Sequence, residues 1–170
     1  YNGVLDEIDI ITSTFGKALG GASGGFISSS NEIVETLRQK SRPYLFSNSL
    51  APPLVAACIK VFDIIAKDYS YKKKLEENTT HFRNGIKNIG LDIKGKDHPI
   101  VPIMIYDAKK AVEMSEKLLE KGIYVIAFSF PVVPKDEARI RVQISAAHSK
   151  EQIDSAINAF GEVAKELNII

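Results

Sequence analysis

The chain reads as an α/β fold in two parts, and three observations predict it. Val101-Ile103-Ile105 and Ile140-Val142-Ile144 alternate with the two-residue period of strands that turn one face to packed helices. Leu54, Ala57, Cys58, Val61, Ile64 and Ile65 recur at helical spacing. Five of the eleven glycines (Gly16, Gly20, Gly21, Gly24 and Gly25) crowd into one short stretch behind the strand-like run Ile8-Asp9-Ile10-Ile11-Thr12. Residues 1–89 read as one part that ends in a long connecting helix, and residues 90–170 as a small α/β sandwich.

Taken in order, the Ile8–Thr12 strand enters the glycine stretch, and Gly25-Phe26-Ile27-Ser28 leaves it as a second short strand. Ser29 with Glu32 has the spacing of a capping box, so a helix is predicted from there to Arg42, where Pro43 stops it. Phe46-Ser47-Asn48-Ser49 is an irregular polar segment, and Pro52 and Pro53 suit the first turn of the helix that follows. A second helical stretch, with Leu75, Phe82, Ile86 and Ile89 on its inner face, ends at Gly90. Strands are expected at 91–94, 100–106, 123–127 and 138–145, and helices at 108–121 and 150–168. Asp107 caps the first of these helices and Gly122 closes it, while Ser149 and Gln152 form a capping box for the last.

Composition excludes several classes. With 170 residues and 45% hydrophobic content there is enough apolar material for a core. A net charge of +1 with mixed signs argues against binding to a polyanion through bulk charge. A single cysteine, Cys58, rules out an internal disulfide, fits a reducing compartment and reads as a core residue, so the cytoplasm is the expected location. No apolar run approaches the ~20 residues of a membrane span, and no signal peptide is read. The start at Tyr1 reads as a cut through a larger protein or as the first ordered residue of a longer chain. His81, His98 and His148 lack metal-ligand spacing and read as structural, so no metal is expected.

Chemistry concentrates at Lys17, an amine with small or apolar neighbours inside Ser13-Thr14-Phe15-Gly16-Lys17-Ala18-Leu19-Gly20-Gly21. A Walker phosphate loop fails, because Ala18 follows Gly16-Lys17 and Ile11 stands where the motif needs glycine. A tight turn with an incidental lysine stays open. So does a Schiff-base lysine for pyridoxal phosphate (PLP), with the Thr14 hydroxyl set three residues earlier for the cofactor phosphate. Elsewhere, Arg139 and Arg141 fall on one side of a predicted strand. Either is a surface ion-pair partner or a planar clamp for a carboxylate.

Thr14-Phe15-Gly16-Lys17-Ala18-Leu19-Gly20-Gly21, followed by Ser41-Arg42-Pro43-Tyr44-Leu45-Phe46-Ser47-Asn48-Ser49-Leu50, resembles the α-oxoamine synthase family of fold-type I PLP enzymes. The likeness runs along the whole chain but covers only about the C-terminal half of that family's usual length. With Pro131-Val132-Val133-Pro134 it leans towards the branch that joins glycine and acetyl-CoA.

The resemblance implies the C-terminal part of a PLP-dependent transferase, with PLP as cofactor. Glycine, acetyl-CoA and CoA, and 2-amino-3-oxobutanoate would be the reactants, in threonine breakdown. It implies Lys17 as catalytic and cofactor-binding residue, Thr14 and Ser47 as phosphate contacts, and Arg141 as the substrate-carboxylate clamp, with Arg139 structural or secondary. Ser47 would reach the cofactor of a partner subunit, so a homodimer with a shared active site is expected. The acid that pairs with the ring nitrogen and the residue that stacks on the ring precede the lysine in the family and have no match here, so the chain alone is expected to be inactive. Sibling branches using other amino acids or acyl groups are one alternative, and a non-catalytic dimerisation module is another.

Overall fold

The computed structural model describes residues 3–19 and 23–170. The chain divides into two compact units, 1–68 and 69–170, each described by itself below. The boundary expected after Ile89 therefore falls inside the second unit. The long helix that ends there packs against the C-terminal helix of that unit.

In the first unit, a 3-10 turn (Leu5–Glu7) leads into β1 (Ile10–Thr14), which pairs antiparallel with β2 (Gly25–Ser29), Ile10 opposite Ser29 and Thr14 opposite Gly25. The hairpin must be tight at its loop end. A Cβ on Gly25 would lie 2.4 Å from the Ser13 carbonyl oxygen, and Gly24 holds φ +82°. Gly20 and Gly21 lie outside the described residues.

Helix α1 (Asn31–Lys40) starts from Ser30, not Ser29, and the Ser29 hydroxyl donates to the Asp9 carbonyl at 2.6 Å instead of capping. Pro43 does not merely stop that helix. It occupies the first turn of a new one, α2 (Arg42–Phe46), where its missing N–H costs nothing. Helix α3 (Pro52–Lys67) begins at the two prolines as expected and buries Cys58. Every residue of β1 is exposed, and only Phe15 and Cys58 are buried apolar residues among those described in this unit.

The second unit has a full core. It contains α4 (Ser70–Asn88), β3 (Ile100–Tyr106), α5 (Ala108–Glu120), β4 (Ile126–Phe128), β5 (Ala138–Gln143) and α6 (Lys150–Glu166). The three strands form an antiparallel sheet in the order β3-β5-β4. Val101, Ile103, Ile105 and Ile140 point to the covered face, where Phe82 of α4 meets Phe160 of α6 edge-on at 6.2 Å. Gly85 lets α4 and α6 approach, since a Cβ there would stand 2.4 Å from Ile157 Cδ1.

The helix ends account for the strands that came out shorter than expected. Gly90 and Gly122 both hold positive φ, and Leu91 N–H reaches the Ile86 carbonyl as Ile123 N–H reaches that of Leu118. These Schellman closures absorb the residues just after each helix. Hence 91–94 contributes an isolated bridge, Ile93 to Ile103, and β4 starts only at Ile126. The caps themselves follow the sequence. Asp107 accepts from the Lys110 N–H at 2.9 Å, and Ser149 with Gln152 completes both halves of its capping box.

Candidate functional site

The lysine loop is built from the strand upward. β1 ends at Thr14, and the next residue, Phe15, turns inward and is only 9% exposed. Its ring sits 5.3 Å from Phe26 of β2 and 6.4 Å from Phe62 of α3, and those two rings meet at 5.6 Å. The Phe15 N–H donates to the Gly24 carbonyl at 2.9 Å. Two residues beyond this anchor, Lys17 is exposed and makes no ion pair among the described residues. The sequence reading passed over Phe15. The signal for it was the pairing of Phe15 and Phe26 on either side of one glycine stretch.

The Thr14 hydroxyl donates to the Gly24 carbonyl at 3.3 Å and accepts the Gly16 N–H at 3.2 Å. The donation is at the long end for a hydroxyl, so its proton can turn to a better acceptor at little cost. This donor set, a reachable amine and a hydroxyl on one turn, fits an aldehyde that also carries a phosphate. Ser47 lies in the same unit, exposed at the C-terminal end of α2, where its N–H closes the helix on the Pro43 carbonyl at 3.1 Å. Tyr44, Leu45 and Phe46 just before it are all exposed, Phe46 at 79%.

The arginines belong to the second unit, and their surroundings separate them. Arg139 donates through Nε to the Glu137 carbonyl at 3.0 Å and through a guanidinium N–H to the Glu137 carboxylate at 2.8 Å. Glu137 also takes Lys94 at 3.1 Å. The Lys94 ammonium first, and Arg139 after it, hold the Glu137 carboxyl below the ordinary carboxylate range. Arg141, on the same face, makes no ion pair among the described residues. Its guanidinium carbon lies 4.3 Å from the centre of the Phe128 ring. Arg141 and Phe128 line an open groove of about 810 Å³ that also reaches His148 and Gln152.

The three histidines serve the scaffold of this unit. His81 Nε2 and Asp154 stand 2.5 Å apart, and His98 Nδ1 accepts the Ile100 N–H. His148 Nδ1 accepts the Ser145 N–H. A buried Arg83, unremarked in the sequence, donates to the carbonyls of Lys94, Gly95 and His98 and so ties down the 94–98 loop that carries Lys94.

The mixed α/β chain matches one class by its fold: the fold-type I PLP-dependent transferases. The chain belongs to the aminotransferase class I and II family, whose model matches residues 2–160. It is 49% identical, over all 170 residues, to the 2-amino-3-ketobutyrate coenzyme A ligase of Escherichia coli K12, covering 43% of that protein. It is 44% identical over 167 residues to the 8-amino-7-oxononanoate synthase of Petrotoga mobilis, covering 98% of this chain and 42% of that one. A serine palmitoyltransferase variant from S. paucimobilis with bound PLP and myriocin superposes with a TM-score of 0.91 at 28% identity, over 99% of this chain and 42% of that one. The chain thus spans less than half the length of the curated relatives it matches.

Proposed function

We propose that this chain forms the C-terminal part of a PLP-dependent glycine C-acetyltransferase, a 2-amino-3-ketobutyrate CoA ligase. It would act in threonine degradation as a cytoplasmic homodimer. The observation that carries the reading is Lys17, exposed and without an ion pair among the described residues, two positions beyond Phe15, whose ring packs with those of Phe26 and Phe62. The identity to 2-amino-3-ketobutyrate coenzyme A ligases supports the branch.

When bound, PLP supplies an electron sink for negative charge at the substrate Cα. Lys17 Nζ would hold the cofactor's aldehyde carbon and would move the proton at the glycine Cα. Thr14 donates its hydroxyl to the phosphate of the same subunit, and Ser47 donates to that of the partner. The exposed apolar run before Ser47 suits a subunit contact. Arg141 takes the glycine carboxylate through two parallel N–H bonds. The balance is glycine plus acetyl-CoA to 2-amino-3-oxobutanoate plus CoA, a carbon–carbon bond replacing a thioester. No acid of this chain is assigned to the ring nitrogen, so we propose that 1–170 alone is inactive and needs the upstream part its relatives possess.

The test is acyl transfer by the full-length, PLP-loaded protein, with glycine and with alanine, and with acetyl-CoA against longer acyl-CoAs. Preference for glycine and acetyl-CoA is the expected result. Preference for alanine and a long acyl-CoA would favour an 8-amino-7-oxononanoate synthase, the second reading supported by the Petrotoga relative.

A further inference from the structure

We infer that Phe128 is a positioning residue for Arg141: its ring holds the guanidinium by stacking and leaves the hydrogen-bonding edge free for the substrate carboxylate. The inference rests on the reading of Arg141 as the carboxylate clamp. Antiparallel pairing sets Ile126 opposite Arg141 and Phe128 opposite Arg139, so all four side chains share one face of the sheet. The two arginines on that face are restrained differently. Arg139 is held by a carboxylate that uses its N–H groups and offsets its charge. Arg141 is held diagonally, at 4.3 Å, by a ring that does neither.

The distinction is chemical. A guanidinium presents five N–H donors in its plane and a bare face above and below it. Attraction to a ring quadrupole uses the face, and bidentate recognition of a carboxylate uses the edge, so the two do not compete. An acid in place of Phe128 would fix the side chain equally well but cancel the charge that an incoming carboxylate needs. A flexible, solvated arginine would instead lose rotamer entropy on each binding event. Phe128 removes part of that cost in advance and keeps the positive charge intact.

The test compares wild type with Phe128→Leu, Phe128→Met, Phe128→Tyr and Arg141→Lys in the full-length, PLP-loaded protein. Glycine binding is read from the change in cofactor absorbance as glycine is titrated in, alongside kcat, KM for glycine and for acetyl-CoA, and thermal unfolding. Loss of the stacked ring should weaken glycine binding and raise its KM roughly three- to fivefold. The kcat at saturation should hold within about twofold, and the KM for acetyl-CoA should not move. Phe128→Tyr should restore glycine affinity, because it keeps the ring. Arg141→Lys should weaken glycine by about tenfold or more, since one of two charged hydrogen bonds goes.

If Phe128→Leu and Phe128→Met bind glycine as wild type does while Arg141→Lys does not, Phe128 is ordinary packing and the inference is overturned. A fall in kcat and melting temperature without a change in glycine affinity overturns it as well. If Arg141→Lys also leaves glycine binding untouched, the clamp reading itself fails and takes this inference with it. Should one aliphatic variant not fold, the other and the tyrosine variant decide.

Discussion

Replacing Arg83 by methionine probes how the second unit holds its loop and, through it, the arginine face. Arg83 is only 4% exposed. It donates to the Lys94 carbonyl at 2.9 Å, to the Gly95 carbonyl at shorter range and to the His98 carbonyl at 3.4 Å. The last bond is long enough to contribute little. Two good hydrogen bonds from a charged donor, at roughly 1.5–3 kcal/mol each, bound the loss at about 3–6 kcal/mol. Methionine fills similar space and avoids the desolvation of a buried charge, which offsets part of that. The exposed carbonyls of the loop also recover water.

A net loss near 2 kcal/mol is expected, which lowers a urea midpoint by about 1 M for a slope of about 2 kcal/mol/M. The slope itself should not change, because the surface exposed on unfolding is the same. Arg83→Lys should not rescue, since an ammonium lacks the planar fork of donors that reaches several carbonyls at once. A methionine variant within about 0.5 kcal/mol of wild type would refute the reasoning, since surface substitutions without structural consequence fall in that range.

Gly25→Ala should break the hairpin at its glycine end. The new Cβ would meet the Ser13 carbonyl at 2.4 Å, a backbone atom that cannot swing away, and a loss of about 1–3 kcal/mol follows. Faster hydrogen exchange at the Phe15 amide, which bonds the Gly24 carbonyl, is the local readout, and unchanged exchange would contradict the hairpin geometry. Gly85→Ala should destabilise the α4–α6 contact despite the better helix propensity, because the clash with Ile157 outweighs the ~1 kcal/mol gained in the helix. A thermal melt at or above wild type would count against that packing. Glu137→Gln tests the acid side of the Lys94–Glu137–Arg139 group. Its carboxyl is lowered in the folded state, so its contribution is present above the unfolded-state pKa and fades as pH falls through the folded value. The variant should be less stable than wild type near neutrality and converge with it in acid, and a gap constant down to pH 3 would contradict the assignment.

Much of this molecule was legible in its residues, for identifiable reasons. The strand pattern at 100–106 and the caps at Asp107 and Ser149 depend on local chemistry, and they stand where alternation and capping spacing put them. Shifts occurred where one local rule met another. Pro43 reads as a stop, yet proline equally suits a first turn, and α2 uses it that way. Gly122 was seen as a helix end, but the closure also consumes Ile123, so the strand begins late and Phe128, outside the expected 123–127, becomes part of it. The arginines could be placed on one face from their spacing alone. Glu137 lies only two residues before Arg139, but Phe128 could not be matched to Arg141, because pairing of β4 with β5 brings it there. Phe15 and Arg83 are not legible in the sequence pattern, because burial of a ring beside a glycine loop, or of an arginine among carbonyls, has no periodic signature.

The central claim is that Lys17 is the residue that bonds PLP. Reducing the full-length, PLP-loaded protein with borohydride, digesting it and mapping the phosphopyridoxyl mass by peptide sequencing tests this directly. The label is expected on Lys17, in the peptide that contains Thr14-Phe15-Gly16, and no label is expected in Lys17→Ala. A label on any other lysine, or a protein that takes up PLP and carries no label after reduction, would contradict it.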